Sequence, residues 1–188
     1  MFGVLGASIF LPFVATAPIQ VLTNNLLDDF SQVPTPTDDV GPELVARPWP
    51  WSMGQTARFI LCLGPVSSLF DYTTFALLWF VLKANVPERQ ALFQTGWFVE
   101  SLLTQTLIIH IIRTNRVPFL QSVASGAMML TTVLIMLVGI WLPFSPLAPA
   151  LDFTPLPWLY WPLLLLTLVC YVLLTQGVKS WLLRKGWV

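Results

Sequence analysis

Residues 124–142 read ASGAMMLTTVLIMLVGIWL, and no charged side chain interrupts this stretch. A helix crosses the ~30 Å hydrocarbon core of a bilayer with about 20 apolar residues, because each residue rises about 1.5 Å. Three further stretches meet the same requirement, at residues 59–82, 91–112 and 158–178. We therefore predict four complete transmembrane helices.

The composition of the whole chain also indicates a membrane protein. Of its 188 residues 56% are hydrophobic and 10% are charged, whereas soluble domains carry about 25% charged residues. The formal net charge is zero, so we expect membrane lipids as surroundings and no nucleic acid as partner. Cys62 and Cys170 both lie in apolar stretches, and we interpret them as small core residues.

The N-terminal residues 1–27 are apolar, but Pro12 and Pro18 interrupt them, and proline breaks a helix. We interpret this stretch as a truncated helix, a short non-cytoplasmic turn and a second helix with a polar end. The predicted fold class is all-α, a polytopic membrane helix bundle of about six transmembrane helices with the first one truncated. Residues 1–188 form a single membrane domain, with a cytoplasmic Pro-rich linker at 31–57.

Basic residues predict the orientation, because cytoplasmic loops are enriched in Lys and Arg. They concentrate in three segments: Arg47 and Arg58 beside the linker, Arg113 and Arg116 between the middle spans, and Lys179, Arg184 and Lys185 in the tail. We therefore expect these segments, and with them the C-terminus, on the cytoplasmic side.

The opposite face is predicted from aromatic residues. The stretch 142–158 is rich in proline and aromatic side chains, which is typical of a loop at the lipid headgroups. We expect four aromatic residues around it to act as interfacial anchors: Trp141, Trp158, Tyr160 and Trp161.

Four acidic residues fall inside or at the edge of predicted spans: Asp28, Asp29, Asp71 and Glu100. Each costs about 2.5–3.5 kcal/mol at a helix centre on insertion scales. Such residues must pair, bind a cation, take up protons or lie nearer the interface. Asp28 and Asp29 can simply end a helix, and Asp71 can join two helices through a hydrogen bond.

Helical spacing groups these acids with other oxygen-bearing side chains. Asn24 and Asp28 are four residues apart, as are Asn25 and Asp29, so each pair shares a helix face. Two further stripes follow helical spacing: Gly64, Ser67, Asp71 and Thr74, then Gly96, Glu100 and Thr104, with Gln105 adjacent. Oxygen ligands of this kind suit Mg²⁺ and Ca²⁺. His110, close to Arg113, is interpreted as an interfacial residue.

The sequence has no phosphate-cradling Gly-rich loop, no zinc-ligand spacing and no His near a candidate nucleophile. It also has no soluble segment long enough for a nucleotide-binding core. We therefore expect no catalytic residue and no bound cofactor in this chain, and no ATP hydrolysis by the chain alone.

Several longer strings carry a resemblance to a known family. They are PIQVLTNNLLDDFSQ at 18–32, GPVSSLFDYTTF at 64–75, ALFQTGWFVE at 91–100 and GIWLPFSP at 139–146. In these strings the chain resembles bacterial P-type magnesium-transporting ATPases, and the likeness covers nearly its whole length. The resemblance implies the C-terminal membrane domain of such a pump, from the end of its fifth helix to its tenth.

The resemblance also implies a set of metal ligands. Asn25 and Asp29 match ion-ligand positions in the sixth helix of related pumps, and Glu100 matches by position a carboxylate of the eighth helix. Asp28 and Asp71 are secondary candidates. The implied cargo is Mg²⁺, and ATP would act only through phosphorylation and nucleotide-binding domains that this sequence lacks.

The implied partner is the remaining N-terminal part of the ATPase or a complementary subunit, and the implied location is the bacterial cytoplasmic (inner) membrane. Three alternatives remain open. The chain is a stand-alone scaffold or regulatory subunit, a fragment of another divalent-cation P-type ATPase, or a passive channel or proton-coupled carrier that uses Asp29, Asp71 and Glu100.

Overall fold

The computed structural model describes Gly6, Ile9 and residues 11–38, 53–114 and 123–185. These residues contain no strand and form five α-helices: α1 (Pro18–Gln32), α2 (Met53–Ala76), α3 (Gln90–Ile112), α4 (Gly126–Trp141) and α5 (Tyr160–Arg184). The all-helical fold class is thus confirmed. Pro18 opens α1 at a position where the missing backbone N–H costs nothing.

Four helical segments are long and apolar enough to cross a membrane: Ile60–Val81, Pro87–Ile112, Gly126–Phe144 and Tyr160–Arg184. They confirm the four predicted complete spans. The last span continues past its predicted end, because α5 runs on to Arg184.

The first part of the predicted bundle is different. Helix α1 has 15 residues and is therefore about 22 Å long, shorter than the ~30 Å hydrocarbon core. The predicted truncated helix before it, and most of the predicted linker, lie outside the described residues. The described part of the chain thus confirms four spans and leaves the predicted total of about six unconfirmed.

Helix α3 occupies the centre of the bundle, where it packs against each of the other four α-helices. In the most apolar stretch of this span 72% of the residues are buried inside the bundle, compared with 22% to 33% in the other three spans. Small residues allow the close approach that membrane helices use. A Cβ atom added at Gly96 of α3 would lie 2.6 Å from Leu78 Cδ2, and Gly139 of α4 lies similarly close to Leu102.

Polar contacts tie three segments together at one end of the bundle. Asp38, before the linker, forms an ion pair with Arg113 (2.9 Å) and accepts a hydrogen bond from the Ser125 backbone N–H (2.7 Å). Lys179 of α5 is buried, and its ammonium donates to the carbonyls of Ile111 (2.6 Å) and Thr114. The three segments predicted to share a side, from their basic residues, therefore meet at one end.

The opposite end is closed by the α4–α5 connection, which folds into two 3-10 turns, Leu142–Phe144 and Ala148–Leu151. Phe153 of this connection packs against Phe98, with ring centroids 4.6 Å apart. Tyr160 is buried and donates its hydroxyl to the Gly96 carbonyl (2.6 Å). The prediction of Tyr160 as an interfacial anchor is therefore wrong, whereas Trp158 is exposed.

Two further sequence interpretations are corrected by side-chain direction. Cys170 is exposed on the outer surface of the bundle and Cys62 is half-buried, so Cys170 is not a core residue. His110 is buried and its Nε2 lies 2.7 Å from Thr132 Oγ1. It joins α3 to α4 inside the bundle and is not interfacial.

Candidate cation site

Polar side chains of three helices surround a cavity of about 140 Å³. The polar lining consists of Asn24 and Asn25 of α1, Ser67 and Asp71 of α2, and Ser101, Thr104 and Gln105 of α3. Val21 and Trp97 complete the wall. Asp71 is the one carboxylate among the lining residues that the structure describes, so amide and hydroxyl oxygens dominate the site.

Ser101 accepts hydrogen bonds from two other side chains at this cavity. Asn24 Nδ2 donates to Ser101 Oγ (3.2 Å), and Gln105 Nε2 donates to the same oxygen (2.7 Å). Asn24 is 2% exposed, and its Oδ1 accepts no hydrogen bond from the described residues. The bond from Asn24 joins α1 to α3, whereas the bond from Gln105 lies within α3. Asn24 Oδ1 remains in the cavity wall without a donor among the described residues.

Asp71 enters the cavity from α2. The side chain is half-buried, and its Oδ1 accepts a hydrogen bond from Trp97 Nε1 of α3 (3.3 Å). This contact is the interhelical hydrogen bond expected of a structural aspartate. The same carboxylate also lines the cavity, so the two roles are compatible.

Glu100 lies inside the bundle but is not among the lining residues. It is 1% exposed, and its Oε2 accepts no hydrogen bond within the described part of the chain. A buried ionised carboxylate without a partner is strongly disfavoured. Glu100 is therefore a group that would hold a proton or bind a cation.

The two acids at the end of α1 lie away from the cavity. Asp28 is half-buried, and its Oδ2 accepts a hydrogen bond from Gln32 Nε2 (3.0 Å). Asp29 is exposed on the outer side of α1, one turn after Asn25, which is also exposed but lines the cavity. Of the predicted ligands, the structure thus brings Asn25 and Asp71 to one cavity, and Asp28, Asp29 and Glu100 are not among its lining residues.

The sequence interpretation missed two polar residues of the wall. Asn24 appeared in it only as a neighbour of Asp28, and Ser101 did not appear. The available signal was the spacing of Trp97, Ser101 and Gln105, four residues apart on one face of α3.

No three His, Cys, Asp or Glu side chains of the described residues cluster closely enough to hold a metal ion. An acid-only metal centre is therefore absent from that part of the chain. Any cation held here must take amide, hydroxyl or water oxygens in addition to a carboxylate, and such ligands suit Mg²⁺.

Comparison with known proteins matches a family described as "Cation transporting ATPase, C-terminus" over residues 12–181. A protein named "Magnesium-transporting ATPase, P-type 1" from Escherichia coli strain K12 is 52% identical over 188 residues, 100% of this chain. Proteins of the same name from Salmonella typhimurium are 50% identical over 188 residues and 47% identical over 185 residues, which cover 100% and 98% of this chain. The chain spans about a fifth of these relatives, 20% to 21% of their length.

Proposed function

The chain belongs to the family of cation-transporting ATPase C-termini, and from this premise we propose that it is part of an ATP-driven magnesium pump. In this proposal it supplies membrane helices of the pump, and Mg²⁺ crosses the bacterial cytoplasmic membrane beside them. The observation that carries the proposal is the polar cavity between α1, α2 and α3. Polar groups inside the apolar part of a membrane protein are typical of the pathway of a polar or charged cargo.

The proposed ligands are Asn25, Asp29 and Glu100, with Asp71 and Asp28 as secondary groups. Asn25 and Asp71 support this proposal because both line the cavity. Mg²⁺ usually keeps several waters and takes few protein ligands, so a site dominated by neutral oxygens suits it. Asp29 lies one helical turn from Asn25 and would complete the site from the outer side of α1.

The outer side of α1 supports a proposed partner. Leu22, Leu26 and Phe30 are each more than half exposed there, and Asp29 is exposed among them. A carboxylate facing lipid is costly, whereas a carboxylate covered by other helices can bind a cation. The proposed cover is the remainder of the pump, since about four-fifths of the relatives' length lies outside the match. That remainder would also supply ATP hydrolysis.

The proposed orientation follows from the basic residues. Arg113 and Lys179 lie at the end of the bundle where Asp38 also lies, and Lys and Arg favour the cytoplasmic side. The linker and the C-terminus would then face the cytoplasm.

The test is ATP-dependent Mg²⁺ uptake by proteoliposomes that contain the full-length pump built around this chain. We expect Asp29→Asn, Asp71→Asn and Glu100→Gln each to lower uptake at least tenfold. Asp152→Asn is the matched control, because Asp152 is an exposed carboxylate in the connection at the other end. The proposal is contradicted if the three substitutions leave Mg²⁺ uptake as high as the Asp152→Asn control does. It is also contradicted if this chain alone transports Mg²⁺ without ATP.

A further inference from the structure

The inward face of α1 is polar, although the helix lies in an apolar bundle. Its buried side chains are Gln20, Asn24 and Ser31, while the outward Leu22 and Leu26 are more than half exposed. Val21 and Leu27, at the sides of this face, pack against the hydrophobic core. Hydrogen bonds add to this packing, from Gln20 to the α4–α5 connection and from Asn24 to α3.

Three acceptor atoms on this face have no donor among the residues that the structure describes. Gln20 Oε1, Asn24 Oδ1 and Asp28 Oδ1 are buried and accept no hydrogen bond from the described part of the chain. The three residues are spaced four apart, so they share one helix face. Eight residues of helix separate the first from the last, which places the oxygens along about 12 Å of the α1 axis.

The orientation of the first amide is set by its surroundings. Gln20 Nε2 donates to the carbonyls of Asp152 (2.8 Å) and Leu151 (3.4 Å). Carbonyl oxygens only accept hydrogen bonds, so turning the amide over would place oxygen against oxygen. Gln20 Oε1 must therefore face away from them and needs another donor.

Water is the donor that fits this row of oxygens. A buried acceptor left without a donor costs about 1–3 kcal/mol, so three such acceptors on one face would be a large penalty. Of the three residues, Asn24 lines the cavity of about 140 Å³, which can hold several water molecules. Glu100 Oε2 on the facing helix α3 is a further buried oxygen without a donor among the described residues.

We propose that ordered water molecules form a file along Gln20, Asn24 and Asp28, and that this file connects the cavity with the Asp28 end of α1. Each water donates one hydrogen bond to a side-chain oxygen of the row. The file runs beside Asn25 and Asp29 but on the inward face of the helix. The file does not require a cation at Asn25 or Asp29. An experiment can therefore disprove the file without disproving the proposed pump function, and the reverse also holds.

The test is water-edited solid-state NMR of the unsubstituted full chain in bilayers, without divalent cations. The experiment measures how fast magnetisation passes from water to labelled side chains. We expect transfer to Asn24 Cγ to be several-fold faster than transfer to Thr106 Cγ2. Thr106 is the matched control, because it is fully buried on α3 and its hydroxyl donates to Leu102 O (2.7 Å). Equal transfer to both residues would overturn the file.

A second measurement tests the length of the file by cysteine accessibility. In a background with Cys62→Ser and Cys170→Ser, single cysteines replace Gln20, Asn24 and Asp28. A small methanethiosulfonate reagent attacks only the ionised thiol, and ionisation requires water. We expect at least tenfold faster reaction at these positions than at Leu26→Cys, which lies on the exposed apolar side of α1. Slow reaction at all three positions, equal to that of Leu26→Cys, would contradict the file.

Discussion

At the residue scale, several buried polar side chains donate to backbone carbonyls of other segments. Lys179 shows this most clearly, because its ammonium donates to the last carbonyls around the end of α3. Carbonyls at a helix C-terminus have no partner within their own helix. A cation placed there supplies the missing donor and also complements the helix dipole. The residue therefore joins α5 to the central helix through charge as well as packing.

Replacing Lys179 by methionine keeps the apolar stem and removes the ammonium. We expect Lys179→Met to lower the free energy of unfolding by about 2 kcal/mol, because buried carbonyls lose their donor. Lys185→Met is the control: Lys185 is exposed and its Nζ lies 4.4 Å from the Trp181 ring centroid, a contact worth about 0.5–1 kcal/mol. Denaturant titration in detergent would measure both, and equal losses would contradict the capping role.

At the element scale, the position of α3 depends on how closely its neighbours approach. Gly96 lies against Leu78, a side chain that is fully buried. The Gly96 carbonyl also accepts the Tyr160 hydroxyl, so one turn of α3 contacts both α5 and the π-helical segment Leu77–Val81 that follows α2. Any atom added at this turn has to displace a side chain that has no free space to enter.

The substitution Gly96→Ala tests this close approach. We expect it to destabilise the bundle by about 1–3 kcal/mol, since overpacking forces neighbouring side chains to shift. Gly177→Ala on α5 is the control, because an added Cβ there meets no atom within 4 Å. That variant should be neutral or gain up to about 1 kcal/mol from helix propensity. Thermal unfolding of both variants in the same detergent decides between these outcomes, and equal shifts would contradict the tight contact.

At the scale of the whole molecule, the four membrane spans supply most of the core, and α1 lies at the side of the bundle. Among the α-helices it packs against α3 and α4, whereas its outer face stays exposed. That face mixes leucine and phenylalanine with Asn25 and Asp29. Its composition suits contact with further helices better than contact with lipid.

We expect the chain to bind a separately expressed N-terminal part of the pump through this face. The double substitution Leu22→Ala and Leu26→Ala should lower the association constant by roughly tenfold, because helix association in membranes depends on packing contacts. The control is Leu165→Ala with Leu166→Ala, two exposed leucines of α5. Co-purification from bilayers compares the pairs. An equal loss for the control pair would show that the α1 face is not the docking surface.

The sequence alone was sufficient to predict the four spans, because the length and apolar character of a membrane helix are local properties of the chain. It also grouped the basic segments that meet at Asp38, Arg113 and Lys179, since the alternation of spans and loops places them at one end. The resemblance to related pumps made Asn25 a ligand candidate, whereas Asp71 became a candidate for a similar, local reason. A polar oxygen in an apolar helix stands out whatever surrounds it.

The directions of individual side chains were decided only by the tertiary structure. Successive residues of a helix point about 100° apart, so Asn24 and Asn25 differ in burial, although they are adjacent and chemically identical. Asn24 is buried and donates to Ser101 of α3, whereas Asn25 is exposed, and both line the cavity. Likewise Tyr160 and His110 point into the bundle because Gly96 and Thr132, distant in sequence, lie opposite them. Such facing pairs form only when the helices pack, and the linear pattern of one helix does not contain them.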